Sequence, residues 1–121
     1  MKKIIFFVSL FIGFTAFSQD PVFQKSNEAA EKEAIELTNS YDLKLSLTEK
    51  QELLFQQKVA EFLIRKYKIE SEFSGKEKLD LLYSLQQEET AEMNDILTRP
   101  QIDVYKNVQP TIQPLDTLGE R

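Results

Sequence analysis

The sequence predicts an all-α fold of four helices built around a long αα-hairpin, and three observations carry that prediction. Apolar side chains recur at intervals of three, four and seven through most of the chain, the spacing of one helix face. Thr48-x-x-Gln51, Ser74-x-x-Glu77 and Thr98-x-x-Gln101 each match the capping-box signature that opens a helix. Only Leu43, Leu45 and Leu47 alternate with polar residues, and no second such run exists to pair with them as a strand. That stretch reads as a connector.

Before the first helix stands a segment of different character. Met1, Lys2 and Lys3 are followed by an apolar run from Ile4 to Phe17, and Ala16 and Ser18 occupy the minus-three and minus-one positions of an A-x-S cleavage site. Residues 1–18 are therefore predicted to be a secretory signal peptide. As a membrane span the run is too short: fourteen residues at 1.5 Å rise reach about 21 Å, against a hydrocarbon core of roughly 30 Å. Cleavage before Gln19 places the protein in the periplasm. With no cysteine in the chain, disulfides, thiolate metal sites and a lipid-modified N-terminal cysteine are all excluded.

The helical region is expected over residues 19–108. A polar lead from Gln19 to Lys25 precedes helix one, with Ser26 as its N-cap. The apolar or small positions of this helix are Ala30, Ala34, Leu37 and Tyr41. Helix two starts at the Thr48 box and carries Phe55, Val59, Phe62, Ile69 and Phe73, flanked by Leu54, Leu63 and Tyr67. Gly75, inside the Ser74 box, supplies the turn that reverses the chain into helix three. Helix three presents Leu79, Leu82, Tyr83, Met93 and Ile96, but its middle reads Gln86, Gln87, Glu88, Glu89, Thr90. Either that middle lines a wet concave surface, or Leu85 and Ala91 rotate the contact stripe locally. Pro100 suits the first turn of a short fourth helix. Residues 109–121, with Pro110, Pro114 and Gly119, are predicted to be a disordered tail.

Charge and composition narrow the function. The chain of 121 residues holds 15 Lys and Arg against 20 Asp and Glu. Loss of Lys2 and Lys3 with the signal peptide leaves 13 basic residues in a chain of 103, a formal charge of −7. Nucleic acid and anionic membrane are poor partners for such a chain. There is no histidine and no cysteine, so the commonest general base, transition-metal ligands and thiol nucleophile are missing. The glycines, at 13, 75 and 119, form no phosphate loop. An enzyme is not expected, nor is any cofactor. Glu88, Glu92 and Asp95 share a helix face, but solvated carboxylates account for them better than a hard-cation site.

The sharpest motif is a repeat. Leu47-Thr48-Glu49-Lys50-Gln51 and Leu97-Thr98-Arg99-Pro100-Gln101 share the pattern L-T-x-x-Q, fifty residues apart. One capping box has almost no functional meaning, but two with identical Leu, Thr and Gln in an exported helical chain resemble the LTxxQ-motif periplasmic proteins, the Spy/CpxP family. The resemblance covers about residues 27–108 and includes the lead-in Leu45-Ser46-Leu47. It implies a thin, curved, antiparallel homodimer and a soluble, ATP-independent chaperone or envelope-stress adaptor. Its clients would be unfolded or aggregation-prone envelope proteins, bound on a concave face. The alternative is a regulator that docks on one folded partner, such as the sensor domain of a kinase. A metal-sensing role, known in another branch, is disfavoured by the missing histidine.

Candidate client-contact residues are the basic cluster Lys58, Arg65 and Lys66, with the apolar Phe62, Leu63 and Phe73 on the same helix. The family's best-known chaperones have a basic concave face, whereas this chain is acidic. A homodimer is expected on packing grounds as well, since thin helices in a chain of this size leave large apolar side chains without cover.

Overall fold

A computed structural model describes residues 21–115, with side chains from residue 27 onward. The predicted signal peptide, residues 1–18, and the last six residues of the predicted tail lie outside the described residues. Four helices follow in order, α1 (Pro21–Leu45), α2 (Glu49–Glu72), α3 (Gly75–Met93) and α4 (Arg99–Ile112). The fold is all-α.

Helix α1 begins earlier than Ser26, the expected N-cap, and runs on through the expected connector to Leu45. Its buried positions Ala30, Ala34, Thr38, Tyr41 and Leu45 follow steps of three and four to the very end, so the helical stripe outweighs the short alternation of Leu43, Leu45 and Leu47. Leu45 is buried while Leu43 stands exposed. The helix stops at Ser46, whose φ of 54° is left-handed. There its N–H reaches the Asp42 carbonyl (2.9 Å), and the Asp42 carboxylate accepts the next amide, Leu47 N–H (2.6 Å). The chain reverses within three residues.

Helix α2 packs antiparallel against α1 and buries Phe55, Val59, Phe62 and Leu63. At its far end Phe73 and Ser74 are extended and Gly75 takes φ 62°, which turns the chain into α3. Ser74 is the N-cap of α3, but its side chain makes no capping bond, so the Ser74–Glu77 box expected there is not formed. The turn depends on the glycine instead. A Cβ at Gly75 would meet nothing within 4 Å, so Gly75→Ala adds no clash and suffers only the left-handed backbone. We expect a loss of about 1 kcal/mol, read from urea unfolding midpoints.

Helix α3 returns along α2 and buries Leu82, Leu85, Glu89 and Met93. Of the two expected alternatives for its middle, the stripe rotates onto Leu85, but Ala91 remains exposed and Glu89 takes the buried place. Tyr83, expected on the packing face, is exposed, and Ile96 lies beyond the helix. After a short turn α4 packs against α1. Leu97 and Ile102, just before its cap and one turn inside it, are both in the core, the arrangement of a hydrophobic staple. Residues 109–112 are helical, so α4 extends past the boundary expected at 108.

Aromatic rings hold the centre together. Tyr41 of α1 stacks on Tyr105 of α4 with ring centroids 4.9 Å apart, and Phe55 of α2 meets Tyr105 edge-on at 6.0 Å. All three rings are fully buried within one chain. Phe62 and Leu63, candidate client-contact residues, are buried in the same way. Among the described residues no helix is long and apolar enough to cross a membrane.

Candidate functional site

The two LTxxQ motifs meet at one end of the molecule. Each forms a complete capping box. The Thr48 hydroxyl accepts the Gln51 amide (3.1 Å) and Gln51 Oε1 accepts the Thr48 amide (3.0 Å). Thr98 and Gln101 repeat this at 3.4 and 2.9 Å. The glutamines do more than cap. Gln51 Nε2 donates to Gln101 Oε1 (2.8 Å), and Gln101 Nε2 donates back to Gln51 Oε1 (3.1 Å). Their remaining N–H groups cross over as well, Gln51 to the Ile96 carbonyl and Gln101 to the Leu45 carbonyl, each at 3.1 Å.

Every polar atom of both amides is thereby engaged, and the α1–α2 and α3–α4 connections are tied to each other. Leu97 is buried and Leu47 packs against the same core. The fifty-residue offset continues up the helices, where Phe55 and Tyr105, one turn past each glutamine, touch. All six motif residues act in this clasp, which ties the two helix starts together.

The candidate client-contact residues are arranged differently from the expectation. Phe62 and Leu63 are each only 3% exposed, because α3 folds back over the face of α2 that carries them. They cannot form an exposed patch. Lys58 bridges to Glu92 (2.8 Å) and Glu61 (3.4 Å), and the hydrogen bond to Glu92 holds its ammonium above the usual lysine range. Arg65 bridges to Glu88 (2.6 Å) and lies over the Phe62 ring at 4.8 Å. Phe73 ends α2, half-buried. The carboxylates Glu88 and Glu92 are thus partners for cations on α2, and no acidic cluster suited to a metal ion occurs among the described residues.

Phe62, Leu63 and Lys66 come together elsewhere, in a cleft of about 290 Å³. Leu37 of α1, Phe62 and Leu63 of α2, Leu82 and Leu85 of α3 and Ile112 of α4 make its apolar walls. Gln113, Pro114 and Leu115, which the sequence places in a loose tail, run along one side. Gln113 is tied in by hydrogen bonds. Tyr41 donates its hydroxyl to Gln113 Oε1 (2.5 Å), and Gln86 donates to the Gln113 carbonyl (3.0 Å). Lower down, Gln109 exchanges hydrogen bonds with Thr90 (3.3 and 3.4 Å) and donates to Tyr105 (3.2 Å). The polar middle of α3 is therefore a seam to α4.

Glu89 also lines the cleft. It is 5% exposed, and its Oε2 is buried with no hydrogen-bond partner. Burial raises its carboxyl from the ordinary 4.5 to about 7, against a smaller downward pull from the Lys66 ammonium. Tyr41 and Tyr105 are pushed well above the usual phenol range by burial, and the Glu89 charge adds to both. Glu33, Glu70 and Lys66 complete the charged lining, and Tyr67 donates its hydroxyl to Glu33. Glu89 was missed as a site residue. The available signal was an acid standing four residues after Leu85 and four before Met93 on one helix stripe.

Comparison of the chain with protein-family models, with characterised proteins and with solved structures returns no match.

Proposed function

We propose that this protein is an exported, ATP-independent binding protein for partly unfolded polypeptides, acting in the periplasm as a homodimer in the manner of the LTxxQ-motif family. The observation that carries this reading is the reciprocal Gln51–Gln101 pair. It makes the two motifs a single unit, which two unrelated capping boxes would have no reason to form.

The client surface is best sought at the cleft rather than along α2. The cleft combines apolar walls with an acidic lining, whereas Lys58 and Arg65 already have carboxylate partners. A surface of that kind suits apolar segments flanked by basic residues. Binding should be weak, reversible and reduced by salt, because exposed charges are screened over about 10 Å at 0.1 M.

The test is light scattering of a chemically denatured client diluted into buffer with and without excess protein, at two salt concentrations. Suppressed aggregation that weakens with salt is the expected result. Undiminished aggregation at both would overturn the reading. Capture of one folded partner in stoichiometric amount would favour the regulator alternative instead.

A further inference from the structure

We propose that the cleft is a binding site for a small cationic amphiphile, an alkylammonium whose head group reaches Glu89 Oε2 and whose chain lies between Phe62, Leu63, Leu82 and Leu85. Four observations lead there, and none depends on client binding.

The first is the unpartnered oxygen. A buried acceptor without a hydrogen bond is unfavourable and uncommon, and here it belongs to a carboxyl that lines an open cleft. A ligand that brings a donor relieves it. The second is charge. Three carboxylates, Glu33, Glu70 and Glu89, line the cleft against the single ammonium of Lys66. A cation is attracted there and a fatty carboxylate repelled. Lys66 does not already serve as that cation, since no ion pair joins it to Glu89.

The third observation is the lining itself, apolar side chains from four helices around one deep polar group, the usual composition of a small-molecule pocket. The fourth is size. About 290 Å³ lies at the lower end of such pockets, room for a single short chain and too little for a two-chain lipid.

Protonation sets the pH at which the site works. Glu89 titrates near 7. The groups facing it are Lys66 from α2 and the phenols Tyr41 of α1 and Tyr105 of α4, and both phenols stay neutral across this range. Glu33 and Glu70 also line the cleft. An ammonium therefore binds more tightly above pH 7, where the Glu89 carboxylate carries its charge.

The test is calorimetric titration of the exported protein with octylammonium, kept below its micelle concentration, at pH 8 and pH 5.5. Octanoate and octanol are the controls. Octylammonium should bind at least about tenfold more tightly than octanoate, and more weakly at pH 5.5. Glu89→Gln, checked for helicity by circular dichroism, should weaken it by about tenfold or more, the loss of one charge-assisted hydrogen bond. Lys66→Gln removes a competing cation and should strengthen binding; this variant and the pH comparison decide the matter if Glu89→Gln does not fold. Equal binding of octanoate, or an unchanged affinity in Glu89→Gln, would overturn the proposal. So would tighter binding of Nα-acetyl-lysine methylamide, which would assign the site to a polypeptide side chain.

Discussion

Glu89→Gln is expected to raise the unfolding free energy at pH 8 by about 3 kcal/mol while changing it little near pH 4. In the folded protein the carboxyl titrates at about 7, because burial disfavours its charged form, whereas in the unfolded chain it returns to the ordinary 4.5. Between those two values the folded state holds the proton that the unfolded state has released. Stability contributed by the neutral carboxyl is therefore fully present below about pH 4.5 and is lost as pH rises through 7. A gap from 4.5 to about 7 corresponds to about 3 kcal/mol, which the wild type forfeits at pH 8 and a glutamine, having no charge to bury, does not.

The check is a set of urea unfolding curves for both proteins at pH 4, 5, 6, 7 and 8. Other carboxylates titrate in both, so the quantity to follow is the difference between the proteins. It should widen between about pH 4.5 and 7 and level off by pH 8. A constant difference would mean that Glu89 is solvated in solution.

The second large effect is expected at the glutamine clasp. Gln51→Ala and Gln101→Ala should each destabilise the protein by about 2–3 kcal/mol, and the double variant by much less than their sum. Truncating Gln51 removes the bond that caps Thr48, the bond to the Ile96 carbonyl and both bonds to Gln101. Each is worth about 0.5 kcal/mol net at this partly exposed end of the molecule, and the abandoned Gln101 amide adds a penalty of up to about 1 kcal/mol. Because the two side chains share that penalty, a double-mutant cycle should give a coupling of about 1 kcal/mol or more.

Thr48→Ala is the control, since losing a cap alone is worth about 1 kcal/mol. If both glutamine variants fall to that level with no coupling, the motifs are merely two separate caps.

The clasp and the buried acid differ in how far they can be read from residues in a row. Capping boxes are local: Thr48 with Gln51 and Thr98 with Gln101 span three residues, and both form as the spacing predicts. The repeat also hints that the motifs are related. That Gln51 lies against Gln101 depends on α2 and α4 both packing on α1, which brings their capped ends together and which no local pattern states. The same local logic fails at Ser74, where the box residues are present but the bend is made by Gly75 in a left-handed conformation.

At the C-terminal end, Pro110 and Pro114 read as helix breakers, yet α4 continues to Ile112. Pro110 sits in the last turn on the exposed side, where water can serve the carbonyl that the missing N–H leaves free. Meanwhile Gln109 and Gln113 gain partners on α1 and α3.

By itself, then, the sequence determined the all-α class, the starts of α2 and α4, the reversal at Gly75 and most of the core positions, because these follow from helical periodicity and contacts a few residues apart. The tertiary structure alone decided the rotation of α3 that buries Glu89 instead of Tyr83, the pairing of the two motifs, and the return of Gln113 to α1. Each of these depends on which distant surfaces exclude water from one another, and that is settled by packing among all four helices at once.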